Sequence, residues 1–258
     1  GSEMCIRDRF EKEAAPGGML VNGIPAFRVD KAVVNSEIEV LREMGVEFRC
    51  GVEVGRDVTI QQLRNEGYKA FYVAVGLQKA TALGIEGEQL KGVTGGLDFL
   101  RRVNAGEAVQ LKGDTIVIGG GNAAIDVART ALRKGKGKVQ MFCLEKDEDM
   151  PTVPEEKNAG LEDGVVINNC WGPKRIIGEK GKVTGVEFMR CVSVKDEDGK
   201  FNPVYDENET LTVPCSNVLV AIGQRSDYGT LLAGTKAETP DGRPVSYTHL
   251  TLPTILLV

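Results

Sequence analysis

A chain of 258 residues, 41% hydrophobic and 27% charged, has room for one large packed domain or two modest ones. Its net charge of −5 and its 5% aromatic content argue against nucleic acid as a partner, which asks for a basic face or stacking platforms. No apolar run approaches the ~20 residues needed to span a bilayer, so no membrane association and a cytoplasmic location are expected.

The six cysteines, Cys5, Cys50, Cys143, Cys170, Cys191 and Cys215, include no C-x-x-C pair, so they read as buried thiols in a reducing compartment. Both chain ends look foreign. Residues 1–9 and 245–258 resemble translated adapter sequence and are set aside as non-native leader and tail. The only histidine, His249, lies in that tail. Histidine nucleophile systems and His-based metal sites are therefore not expected, and neither a metal ligand nor a catalytic acid, base or nucleophile is assigned.

In chain order, Lys31–Met44 carries Val33, Val34, Ile38, Leu41 and Met44 at helical spacing, and Gly45 stops it. Val46–Val54 reads as a strand or hairpin, and Thr59–Glu66 as a short helix. Ala70–Val75 reads as a buried parallel strand ending at Gly76. A second unit starts near Gly95, with a helix over Leu97–Val103 and a buried strand at Thr115–Ile118. A strongly amphipathic helix over Asn122–Lys134 and a strand over Lys138–Leu144 follow. Pro154–Glu162 reads as a helix and Val165–Asn168 as a strand. Arg175–Val194 reads as antiparallel strands broken by glycines, and Asn217–Ile222 as a last apolar strand before Gly223. Strands alternating with helices predict an α/β fold with covered parallel sheets.

The chemistry concentrates at Gly119-Gly120-Gly121-Asn122-Ala123-Ala124. A G-x-G-x-x-G/A string alone means little, but this one follows a strand and opens a helix, which is the context of a dinucleotide fingerprint. Gly119 permits the tight turn, Gly121 lets backbone approach a pyrophosphate, and small Ala124 lets helix and strand pack closely. The anion would sit at the helix N-terminus. Glu145, just past the next strand, is placed to accept hydrogen bonds from the adenosine ribose. A carboxylate there repels a 2′-phosphate, which favours NAD(H) over NADP(H), although Lys146 could meet a phosphate. An ordinary glycine-rich turn beside the acidic run Glu145–Glu156 is the plainer alternative. No Tyr-x-x-x-Lys and no Gly-Lys-Ser/Thr string is present.

The order of signatures resembles the small (beta) chain of glutamate synthase and its flavoprotein relatives. It is carried by Phe10-Glu-Lys through Pro16-Gly-Gly18, by Gly23-Ile-Pro-Ala-Phe-Arg28 and by Ala74-Val-Gly76. The remainder lies in Gly119–Asp126, Met150-Pro151 and Ala221-Ile-Gly-Gln224. The resemblance implies an NAD(P)-binding Rossmann-like domain inserted in an incomplete FAD-binding Rossmann-like domain. The expected division is residues 10–94 for part of the FAD domain, 95–224 for the NAD(P) domain and 225–244 for the start of the returning FAD segment. It further implies that Glu11 holds the FAD ribose, that Gly17, Gly18 and Met19 lie beside the flavin, and that the cofactor-binding Gly76 closes the strand end Ala74-Val-Gly76 where the chain crosses between domains. Gly119, Gly121, Asn122 and Ala124 would take the NAD(P) pyrophosphate, and Ile222, Gly223 and Gln224 would lie near the nicotinamide. Relatives often carry paired arginines where this chain reads Leu144-Glu145, which strengthens the NAD(H) expectation.

The implied reaction is hydride transfer between NAD(P)H, NADH by preference, and FAD. Electrons then pass to an iron–sulfur partner or a glutamate synthase-type large subunit. Family segments expected before Phe10 and after Val245 are not found, so this chain alone is expected to bind NAD(H) better than FAD and to be inactive. A flavin-free NAD-dependent dehydrogenase and a non-catalytic NAD(H)-sensing module remain the alternatives.

Overall fold

The computed structural model describes residues 7–235 and Ala237. Most of the expected leader, the whole expected tail with His249, and much of 225–244 lie outside the described residues. The chain forms two compact units. One contains residues 26–79 with the flanking chain up to Val21 and from Gln224 onward; the other contains residues 80–223 with Asn22–Pro25.

The first unit begins with strand β1 (Arg7–Glu11), a single helical turn α1 (Met19–Asn22), helix α2 (Lys31–Glu43) and strand β2 (Val46–Cys50). β1 and β2 pair in parallel, with Arg7 opposite Val46 and Glu11 opposite Cys50, so α2 is the crossover of a β-α-β unit. The Asp30 side chain accepts from the Ala32 amide at 2.8 Å and starts α2. A capping box between Thr59 and Gln62 starts α3 (Ile60–Asn65), whose Ile60 and Leu63 are buried. Residues 7–9 of the expected leader thus form the first half of β1. Asp8 there accepts from the Tyr68 hydroxyl and pairs with Arg49.

The predicted strand over Ala70–Val75 is not formed. Phe71 makes one isolated bridge, Tyr72 is 65% exposed, and the rest of the segment carries no ladder. An apolar β-prone sequence becomes a strand only where a neighbouring strand supplies backbone partners along its length, and here the pairing is confined to Phe71.

The chain crosses between units on either side of Asn22–Pro25, within the short strand β3 (Lys79–Ala80) and just before the short strand β12 (Gln224–Arg225). The second unit continues with β4 (Val93–Gly95), α4 (Gly96–Asn104), β5 (Thr115–Ile118), α5 (Asn122–Lys134), β6 (Val139–Phe142), a 3-10 turn (Asp147–Asp149), α6 (Pro154–Glu162) and β7 (Val166–Asn168). Three long strands follow, β8 (Trp171–Glu179), β9 (Lys182–Lys195) and β10 (Phe201–Pro214), and then β11 (Asn217–Val220). The parallel sheet runs in the order β4-β11-β5-β6-β7. β8, β9 and β10 form a separate antiparallel meander.

Alternation along the strands explains how both faces are covered. Val117, Met141 and Leu219 face α4 and α5, packing on Phe99, Ile125, Ala128 and Ala131. Ile116, Ile118, Phe142, Val218 and Val220 face the meander, packing on Ile176, Val186, Phe188 and Val213. Each such fully buried aliphatic contributes roughly 2 kcal/mol. One face of the parallel sheet is therefore covered by helices and the other by a second sheet. This is also why the second unit begins at Ala80 rather than near Gly95. Leu83, Ile85 and Leu90 pack on the meander-side core, and the Gly87 region abuts Ile176.

Candidate nucleotide-binding site

β5 is fully buried and central, and its chain turns sharply at Gly119, where φ is +141°. A side chain could not be placed there: a Cβ on Gly119 would lie 2.3 Å from the Ala221 carbonyl oxygen. The Gly119 amide donates to Phe142 O at 2.9 Å, and the Ala221 amide donates to Ile118 O at 2.8 Å. The glycine loop after β5 and the Ala221–Gly223 turn after β11 are thus tied together at the carboxyl ends of adjacent strands. β5 lies between β6 and β11, where the sheet order reverses, which is where open α/β sheets bind ligands.

Gly121 is the N-cap of α5, and no side chain caps the helix. The first turn carries no acidic residue, while Arg133 and Lys134 complement the dipole at the other end. A Cβ on Gly121 would meet nothing within 4 Å. Open space therefore faces a helix N-terminus whose orphan amides and dipole favour an anion. Ala124 is fully buried and its Cβ would lie 3.3 Å from a Cβ on Gly119, which accounts for the small residue there.

Gly120 is crowded on the opposite side. A Cβ there would come within 2.9 Å of both the Cys143 Cβ and Glu145 Oε2, so the Glu145 carboxylate lies over the middle of the glycine loop. Glu145 stands three residues past the end of β6. Burial, reinforced by the neighbouring Glu145, pushes the Cys143 thiol up to about 12, so it stays protonated and serves as a donor rather than a nucleophile.

Asn122 is engaged through its side chain at the start of α5. Its Oδ1 accepts from Thr152 Oγ1 at 2.7 Å and from the Val153 amide at 2.9 Å. This fastens the Met150-Pro151 loop to the start of α5, a role that spacing alone did not reveal. Gly119, Gly121, Asn122, Ala124 and Glu145 are thus brought together, with Ala221 joining Ile222 and Gly223 to the same corner. Gly223 has φ +112° and its carbonyl accepts from the Thr81 amide at 3.1 Å. Gln224 groups with the first unit.

Glu11, Gly17, Gly18, Met19 and Gly76 also belong to the first unit. The Glu11 carboxylate accepts from the Glu13 amide at 3.1 Å. Gly17 has φ +123°, and a Cβ there would collide with Val21, whereas a Cβ on Gly18, at φ +51°, would meet open space; Gly76 has φ +68°. Among the described residues, no group of three His, Cys, Asp or Glu side chains is arranged to hold a metal ion. No helix among them is long and apolar enough to cross a membrane.

No protein-family model matches the chain. It is 34% identical over 229 residues to the NADP(+)-dependent formate dehydrogenase subunit beta of Moorella thermoacetica, covering 86% of this chain and 32% of that protein. It is 35% identical over 225 residues to the glutamate synthase [NADPH] small chain of Halomonas elongata, covering 83% of this chain and 47% of that one. Over the matched residues the chain is similar to the glutamate synthase small chain and to related oxidoreductase subunits. It spans about half or less of the length of these relatives. Among solved structures, Mycobacterium tuberculosis FprA in complex with NADPH superposes with a TM-score of 0.72 at 20% identity, covering 86% of this chain and 64% of that one. That likeness agrees with the expected fold, a Rossmann-like nucleotide domain inserted in a second Rossmann-like unit.

Proposed function

We propose that this chain binds NADH at the corner formed by Gly119–Asn122, Ala221–Gly223 and Glu145, and that the whole protein transfers hydride between NADH and FAD. One observation carries the reading. The open, uncapped start of α5 adjoins a carboxylate lying over Gly120. The first accepts a pyrophosphate, and the second accepts hydrogen bonds from a ribose diol.

The residues present fit a dinucleotide. Gly121 leaves the approach to the helix clear, and no carboxylate in the first turn of α5 competes with the anion. Glu145 favours NADH over NADPH, because a 2′-phosphate beside it would place like charges together. Both relatives named above are NADP(H)-dependent by name. The reading here rests on Glu145 instead. When bound, the nicotinamide and flavin supply the redox chemistry. The chain's own residues bind and orient: Ile222, Gly223 and Gln224 at the nicotinamide, Glu11 at the FAD ribose, Gly17, Gly18 and Met19 beside the flavin, and Gly76 where the chain crosses between domains.

The physiological acceptor is proposed to be an iron–sulfur partner or a glutamate synthase-type large subunit. A cytoplasmic location fits the free thiols of Cys50, Cys143, Cys170, Cys191 and Cys215.

Titrating the chain with NADH and with NADPH tests the reading. NADH is expected to bind more tightly, and Glu145→Ala to weaken NADH by about tenfold, the worth of a hydrogen bond to a charged group. Tighter binding of NADPH, or an unchanged NADH affinity in the variant, would refute it. Flavin absorbance in the full-length protein tests the second cofactor, and a colourless active enzyme would replace this reading by a flavin-free dehydrogenase.

A further inference from the structure

The Glu145 backbone lies beyond the last paired residue of β6, so the sheet ladder does not hold it. It is held from another direction. Its carbonyl oxygen accepts from the Cys170 amide at 3.1 Å and from Asn169 Nδ2 at 3.2 Å. The Cys143 and Cys170 thiols reach the same oxygen at 3.8 and 3.9 Å. Asn169 Nδ2 also reaches Cys143 Sγ at 3.4 Å. Four donors from two segments therefore converge on one carbonyl.

The donor segment is itself unusual. Cys170 has φ +62°, a left-handed conformation that costs a residue with a side chain roughly 1–2 kcal/mol. The strain falls at the corner between β7 and β8, where the chain leaves the parallel sheet for the meander. The Cys170 carbonyl accepts from the Cys191 amide at 2.8 Å. Cys191 lies on β9, whose Val186 and Phe188 are fully buried in the core. The corner is thus braced on one side by the core and donates to Glu145 on the other. Backbone strain kept where the surroundings over-determine it often serves a site.

We infer that Asn169 and Cys170 are positioning residues that fix Glu145 over Gly120 and thereby set the choice between a free ribose 2′-hydroxyl and a 2′-phosphate. This rests on the reading of Glu145 given above. The geometry explains how a carboxylate on a connecting loop is aimed without a ladder. If its carbonyl is released, Glu145 is free to swing toward solvent, where it neither holds the diol nor repels the phosphate.

The test uses the whole chain and measures NADH and NADPH affinities by titration in the parent, Asn169→Ala, Glu145→Ala and the double variant. Asn169→Ala is expected to weaken NADH by about tenfold while NADPH binds no more weakly than to the parent, since the diol loses its acceptor and the 2′-phosphate loses a like charge. The double variant should bind NADH no more weakly than Glu145→Ala alone. If Glu145→Ala leaves NADH unchanged, the reading of the carboxylate fails and this inference with it. If Glu145→Ala weakens NADH but Asn169→Ala does not, or weakens both nucleotides alike, the positioning role alone fails. A second measurement needs no variant. Hydrogen exchange of the Cys170 amide in the parent chain should slow when NADH is added, and an unchanged rate would overturn the proposal.

Discussion

The Glu145 carboxylate lies against Gly120, so that a methyl on Gly120 would meet Oε2 at 2.9 Å, whereas a methyl on the adjacent Gly121 would meet nothing within 4 Å. Two neighbouring glycines therefore serve different needs. Gly120 makes room for a side chain of this protein, and Gly121 keeps clear the space in front of α5. Gly120→Ala should overpack the loop, lower stability by about 1–3 kcal/mol and displace Glu145. Gly121→Ala should leave thermal stability nearly unchanged and still weaken NADH, since the methyl enters the path of the pyrophosphate. Thermal denaturation and nucleotide titration of both variants check the contrast. Equal losses of stability would show that the two positions are not distinct.

Asn122→Ala removes the acceptor for Thr152 Oγ1 and the Val153 amide. The expected cost is about 1 kcal/mol, with faster hydrogen exchange confined to the Met150–Val153 loop and the first turn of α5. Exchange that is uniformly faster across the second unit would mean that Asn122 supports the fold generally and is no local latch.

Phe188 stacks on Phe142 with ring centroids 4.1 Å apart, and Phe188 is fully buried. This contact joins the meander to the parallel sheet. Phe188→Ala should destabilise the second unit by about 3–5 kcal/mol. A loss below about 1 kcal/mol in chemical denaturation would show that the meander is an accessory layer, since cavity costs at such sites are larger.

Stability should fall in alkali. Burial raises the Cys215 thiol to about 12, as it does Cys143, and desolvation with the Asp8 contact raises Tyr68 to about 12. Groups whose pKa is raised on folding stabilise fully below their unfolded value, about 8.5 for a thiol, and lose that contribution as pH climbs through the folded value. Denaturation midpoints should therefore drop steadily from about pH 8.5 to pH 12. Replacing Cys143 and Cys215 by alanine should flatten the slope, and an identical slope in that variant would contradict the assignment.

Much of the second unit was legible because its signals are local. Thr115–Ile118 is a short apolar run, and α5 has a clean apolar stripe ending at basic residues. The glycine loop between them could be read from its flanks. β10 was not legible. Phe201–Pro214 contains Pro203 and a run of acidic and amide residues with no strand pattern, and it becomes a strand only by pairing along β9 through several register shifts. Pro and irregular pairing are tolerated there because β10 is an edge strand of the meander. Ala70–Val75 failed for the converse reason, since a strong local preference is met by a single bridge at Phe71 rather than a ladder. At the site, the residue types of Gly119, Gly121 and Glu145 were readable, but the Asn169–Cys170 corner was not. Its contact with Glu145 crosses 24 and 25 positions and depends on a left-handed cysteine that no spacing rule anticipates.

The most direct test of the central claim is a crystal structure of the chain grown with NADH. The account predicts the pyrophosphate at the Gly121–Asn122 start of α5 and the adenosine ribose hydroxyls on Glu145. A dinucleotide bound elsewhere, or one whose ribose points away from Glu145, would contradict it.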